Sequence, residues 1–189
     1  YNNSGDILSI NYIGKNVSKL KFKKKELEKA ASKLTERVKE LNCLYLISKL
    51  TEMPDLTTEY FLQSIIGIIP PSFQYPDITC AKVTIDKMIF KTNLFIETKW
   101  KLSSPIRENE ENIGCLNIYY TKEMPLLEEG PFLKEERDLI DGICETIGKT
   151  IEKIQTNKAL KEIETRYQIL TDQFADGIAI IQNNEYKFV

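Results

Sequence analysis

The chain has 189 residues, with 26 basic and 28 acidic side chains and a formal net charge of -2, which is room for one ordinary domain with attached helices. So even a balance argues against a nucleic-acid binder recruited by bulk charge and against a disordered acidic tail; without a run of 18 apolar residues, no membrane contact is expected of this segment. There is no histidine, which takes imidazole acid–base catalysis, histidine-ligated metal or haem and a phosphoaccepting histidine out of the chain's own chemistry.

The chain starts at Tyr1 rather than at a methionine and stops at Val189 inside a strand-like run, so it reads as a piece of a longer protein. No signal-peptide pattern opens it, and the expected compartment is the cytoplasm. Residues 5–13 alternate in polarity, which predicts a strand following a turn at Asn2-Asn3-Ser4-Gly5. From Leu20 to about Leu50 the chain has neither Gly nor Pro, and Leu20, Leu27, Leu34 and Leu41 recur every seventh residue. Lys24, Ala31, Val38 and Tyr45 fall four residues after each leucine, completing a seam of about four heptads. A helix of that length spans about 45 Å and outgrows a small domain, so a parallel coiled-coil dimer is expected. The lysine run between Lys19 and Lys29 interleaves with Glu26 and Glu28, the pattern of a solvated helix face, and no nucleic-acid partner is expected.

Residues 57–69 predict an amphipathic helix capped by Thr57 and stopped by Pro70-Pro71. An aromatic link, Phe73-Gln74-Tyr75-Pro76, leads to four strand-like runs at 78–86, 88–92, 98–105 and 113–121, the last two joined by a polar turn over 107–112. A second long helix is expected from Phe132, with Glu135 and Glu136 near its positive end. Ile140, Ile147 and Ile154 repeat every seventh residue, with Cys144 and Ile151 between them; Leu160, Ile163, Tyr167 and Leu170 follow in an offset register, which predicts a break between two helical units. Residues 174–181 and 185–189 read as strands about a turn at Asn183-Asn184. Cys43, Cys80, Cys115 and Cys144 lie far apart in apolar contexts, as buried reduced thiols do, with no metal-site spacing.

The order of long helix, helix, antiparallel sheet and long helix predicts an α+β fold. Residues 41–155 resemble a GAF domain of the kind found in archaeal and bacterial multi-domain PAS/GAF sensor histidine kinases. The resemblance rests on the stretches beginning at Arg37, Ile69, Phe90 and Glu129, running through Ser48, Val83, Trp100 and Ile140. Residues 1–18 are similar to the closing strand and exit motif of a PAS domain, although Asn16-Val17-Ser18 stands where Asp-Ile-Thr is usual; residues 171–189 look like the start of a second PAS domain. Residues 19–40 and 156–170 are then linker helices.

The resemblance implies a GAF-like antiparallel sheet extended by long N- and C-terminal coiled-coil-like helices, and a sensory or relay role with catalysis elsewhere in the polypeptide. A ligand pocket would draw on Phe73, Tyr75, Cys80, Phe90, Phe95, Trp100 and Tyr119, with Thr92, Asn93, Thr98 and Lys99 as polar groups; taken singly, each aromatic reads more readily as core. The cyclic-nucleotide signature of the family is not found in order, and a bilin site lacks its histidine. Haem is disfavoured, with a thiolate of Cys80 or Cys115 its one conceivable ligand. The dimer seam would comprise Leu20, Leu27, Ala31, Leu34, Val38 and Leu41 in the first helix and Ile140, Ile147, Ile151 and Ile154 in the second. A purely structural dimerisation and relay module without ligand is the alternative.

Overall fold

A computed structural model describes residues 3–127, 129–173, 179–182 and 185–188. Helix α1 covers Asn3–Thr51 and helix α2 Thr58–Ile68; strands β1 (Thr79–Ile85), β2 (Met88–Lys91), β3 (Lys101–Glu108) and β4 (Glu111–Tyr120) follow, then helix α3 (Lys134–Gln173) and the strands β5 (Ala179–Gln182) and β6 (Glu185–Phe188). The α+β reading holds. Four antiparallel strands in the order β2-β1-β4-β3 make one sheet, and β5 and β6 pair separately.

One expected strand is helix: residues 5–13 belong to α1. Ile10, Ile13 and Val17 lie at the spacing that leads into Leu20, so the heptad register continues upstream and outcompetes the short alternation. The expected break after Ile154 is also absent, because α3 runs unbroken to Gln173. Its offset register marks a change of face instead. As far as Ile151 the apolar residues face the sheet, and from Leu160 the stripe continues on roughly the opposite side of the same helix, at about 100° per residue. The helices run without interruption through positions 18, 40, 155 and 170. The Asn183-Asn184 turn lies outside the described residues, but its two strands pair in register from Ala179 opposite Phe188 to Gln182 opposite Glu185.

Thr57 caps α2, its side chain accepting from the Tyr60 amide, and Pro70 opens a 3₁₀ turn where the helix stops. The β3–β4 turn is tighter than the sequence suggested. Glu108 pairs with Glu111, and Asn109 and Glu110 take φ of 47° and 70°. These left-handed values match the twist of a two-residue hairpin, even without the usual glycine.

The alternation of the strands divides the sheet. Ala81, Val83, Ile85, Leu102, Ile106, Leu116, Ile118 and Tyr120 form one buried face against Phe61, Leu62 and Ile65 of α2 and Ile140, Ile143, Ile147 and Ile151 of α3. Each of the larger aliphatic side chains contributes about 1.5–3 kcal/mol on burial. The isoleucines at 140, 147 and 151, expected in an intermolecular seam, are thus core residues of this chain. The sheet needs a covering layer, and α3 follows β4 closely enough to supply it. Contact is tightest at Gly148, where a Cβ would collide with the Arg107 carbonyl. Helix α1 packs on α2, on the 3₁₀ turn at Pro70–Ser72 and on α3 through Glu40, Cys43 and Ile47.

Candidate functional site

The expected pocket residues divide between the two sides of the sheet. Phe73 is fully buried and meets Phe132 edge-on, with ring centroids 6.4 Å apart, and Tyr75 meets Tyr120 edge-on at 5.6 Å. Phe90 and Trp100 are half-buried against the same core. On the side without helices, Cys80 and Tyr119 are buried beneath the β2–β3 connection, residues 92–100. Phe95 of that connection lies edge-on to Tyr119 at 5.3 Å, and the Cys80 thiol donates to the Ile96 carbonyl at 3.3 Å.

The threonines expected to face a ligand are engaged by backbone. The Ala81 amide donates to Thr92 Oγ1 at 3.2 Å, and Thr98 Oγ1 donates to the Tyr120 carbonyl at 2.8 Å. Asn93 and Lys99 are exposed, with the Lys99 ammonium over the Trp100 ring. Glu97, which sequence reasoning passed over, closes this side: it accepts from the Tyr119 hydroxyl at 3.2 Å and lies 3.5 Å from Lys82 Nζ. Burial, followed by the Glu97 charge, pushes the Tyr119 phenol up to about 12. Asn117 was missed as well; it is buried, accepts from the Ser103 hydroxyl at 2.7 Å and donates to Cys115 Sγ. The alternating direction of side chains along a strand sets Cys115, Asn117 and Tyr119 on one face of β4 and Leu116, Ile118 and Tyr120 on the other.

Cys43, Cys80 and Cys144 are buried, Cys115 partly so, and all four are free thiols. Burial raises the first three above the ordinary thiol range, Cys144 to about 11, so they stay protonated. Among the described residues no three His, Cys, Asp or Glu side chains gather to hold a metal ion, and no helix is long and apolar enough to cross a membrane.

A buried carboxylate joins the helices to the link before β1. Glu136, the third residue of α3, accepts from the Leu133 amide at 2.8 Å, closing the helix start as half of a capping box. It also accepts from the Gln74 amide at 2.7 Å and the Tyr120 hydroxyl at 2.9 Å. Burial raises its pKa against the pull of these three donors. From the other side Lys39 of α1 bridges Glu36 and the Phe73 carbonyl.

Helix α1 has a second apolar face. Leu20, Leu27, Leu34, Val38, Leu41 and Tyr45 are all more than half exposed, whereas Cys43 and Ile47, on the other side of the same helix, are buried. The expected seam on α1 is therefore a continuous outward stripe that its own domain leaves uncovered. Family models and curated proteins compared with the chain give no match.

The directions of the helices complete that geometry. The start of α3, at Leu133 and Glu135, lies across a groove of about 500 Å³ from residues 29–40 of α1. Further along, Lys153 of α3 donates to the Thr51 carbonyl at the end of α1. The two helices thus run the same way, with α1 projecting from one end of the sheet core and α3 from the other. Beyond the core, α3 exposes Leu160, Ile163, Tyr167 and Leu170. A larger groove, about 1240 Å³, lies between residues 51–59 and this half of α3; none of the expected pocket residues lines either groove.

Proposed function

We propose that this chain is a GAF-like, non-catalytic regulatory module of a larger signalling protein, paired with a second copy through α1 and relaying helix displacements from α1 to α3. In this reading its neighbours in the polypeptide are PAS domains and a histidine kinase output, as the sequence resemblance implies. The observation that carries the proposal is the uncovered apolar stripe of α1, at heptad spacing, on the side opposite Cys43 and Ile47. Stripes of this kind are buried in water only by association. Support for relay comes from the parallel course of the helices and from the Lys39, Phe73, Gln74 and Glu136 contacts that link α1 to the start of α3. A displacement of α1 would reach α3 through this packed, hydrogen-bonded link rather than through a loop.

Ligand binding has less support, because the expected pocket residues divide between two faces and the connection 92–100 occupies the helix-free one. Sedimentation of the wild type and of Leu34→Asp tests the proposal. The wild type is expected to be a dimer at tens of micromolar; Leu34→Asp is expected to be a monomer with unchanged near-ultraviolet circular dichroism. A wild-type monomer, or a variant that keeps the dimer mass, would count against it.

A further inference from the structure

We infer that residues 19–33 of α1 are an electrostatically opposed stretch of the pairing seam, which closes as ionic strength rises and makes the dimer responsive to salt. The inference rests on the pairing proposed above and adds to it a physical signal.

The seam has two rows. Leu20, Leu27, Leu34 and Leu41 form one, and Val17, Lys24, Ala31, Val38 and Tyr45 the other. Leucine in one row and β-branched residues in the other is the combination that favours two parallel strands. Lys24 and Ala31 interrupt the second row at its centre. Two copies in register would bring Lys24 against its own counterpart, a polar pair that specifies register at a cost in stability. In the single chain Lys24 is well exposed and only loosely held, its ammonium 3.8 Å from Glu28.

The same stretch concentrates charge. Residues 19–33 hold seven lysines against two glutamates, a surplus of five positive charges. Lys21, Lys25, Lys29 and Lys33 follow one another at four-residue spacing, Lys21 flanking the seam and the other three on the side away from it, and all are exposed. Pairing doubles the surplus over about 21 Å of helix. In-register parallel strands set Lys23 beside Glu28 of the second copy, an attraction that favours this orientation without cancelling the excess. On both sides the seam is apolar, with Val17 before the stretch and Leu34, Val38 and Leu41 after it. The centre is therefore where pairing is weakest, directly upstream of the sheet core.

Screening lengths fall from about 14 Å at 50 mM salt to about 4 Å at 500 mM, a range that brackets the distances between these charges. Interfaces held by opposite charges loosen with salt; this one would tighten. Sedimentation equilibrium of the whole 189-residue chain in sodium chloride tests it. Between 50 and 500 mM the dimer dissociation constant is expected to fall about tenfold. Lys21→Gln/Lys25→Gln/Lys29→Gln is expected to reduce that response to less than about twofold, and Lys24→Leu to tighten the dimer about tenfold at 50 mM. A dimer that weakens or holds steady with salt overturns the inference. So does a full response in the triple variant, which would assign the effect to general salting-out, or Lys24→Leu with wild-type affinity. A chain monomeric at every salt concentration would overturn the pairing itself, and this inference with it.

Discussion

The outward face of α1 and the inward face of α3 carry similar aliphatic side chains at the same seven-residue spacing, yet they differ in what covers them. Leu34 is 67% exposed, while Ile147 is fully buried beneath β3 and β4. Spacing marks a stripe that must be covered and leaves open whether the cover comes from the same chain. For α3 the cover is the sheet that precedes it. For α1 the domain uses only the Cys43 and Ile47 side, and the leucines are left for a second molecule.

The largest expected effect that separates the two faces is Ile147→Ala, which should lower unfolding free energy by about 3 kcal/mol through a cavity in the core. Leu34→Ala, measured in dilute solution where the chain is a monomer, should change it by less than about 0.5 kcal/mol. Urea titrations of both check this, and equal losses would erase the distinction between the stripes. Next comes Gly148→Ala, whose new Cβ meets the Arg107 backbone. It should cost about 2 kcal/mol by pushing α3 away from β3, whereas Gly142→Ala, where the space is open, should be neutral or slightly stabilising in thermal melts.

Glu136 gives a smaller, pH-dependent effect. Its carboxyl is raised in the folded protein, so the fold binds that proton more tightly than the unfolded chain does. The corresponding stability is present in full below the ordinary carboxylate range and is lost as pH rises through the raised value. Glu136→Gln should remove this slope from melting temperatures followed upward in pH from the carboxylate range. At neutral pH it should cost about 1 kcal/mol, because one amide oxygen cannot serve the Leu133, Gln74 and Tyr120 donors together. A slope unchanged in the variant would assign the pH dependence elsewhere. Smallest is Asp55→Asn, which removes an exposed ion pair with Lys161 between the α1–α2 loop and α3; a change within about 0.5 kcal/mol is expected.

Much of the fold was legible because it depends on local chemistry. Thr57 and Pro70 bound α2, alternation marks the four strands, and the spacing of leucines marks α1. What was not legible depends on contacts between distant segments. Residues 5–13 alternate like a strand, but they continue a register whose strength lies downstream. The offset at Leu160 reads as a break until the sheet is seen to end beside Ile151. The tight turn at Asn109 and Glu110 uses left-handed residues that lack the glycine that would announce them. Among the site residues, Phe73 and Tyr119 are both aromatic and both buried, and only strand pairing places them on opposite sides of the sheet. Glu97 and Asn117 carried no motif, since their roles come from the connection 92–100 folding over β1 and β4.

Disulfide cross-linking between single cysteines placed along α1 tests the central claim, pairing through the outward stripe, most directly. Leu27→Cys, Leu34→Cys and Leu41→Cys should each give a covalent dimer of twice 21.9 kDa under mild oxidation, while Lys29→Cys and Lys33→Cys, on the other side of the helix, should give no covalent dimer. Equal cross-linking on both sides, or none at the three leucine positions, would contradict it.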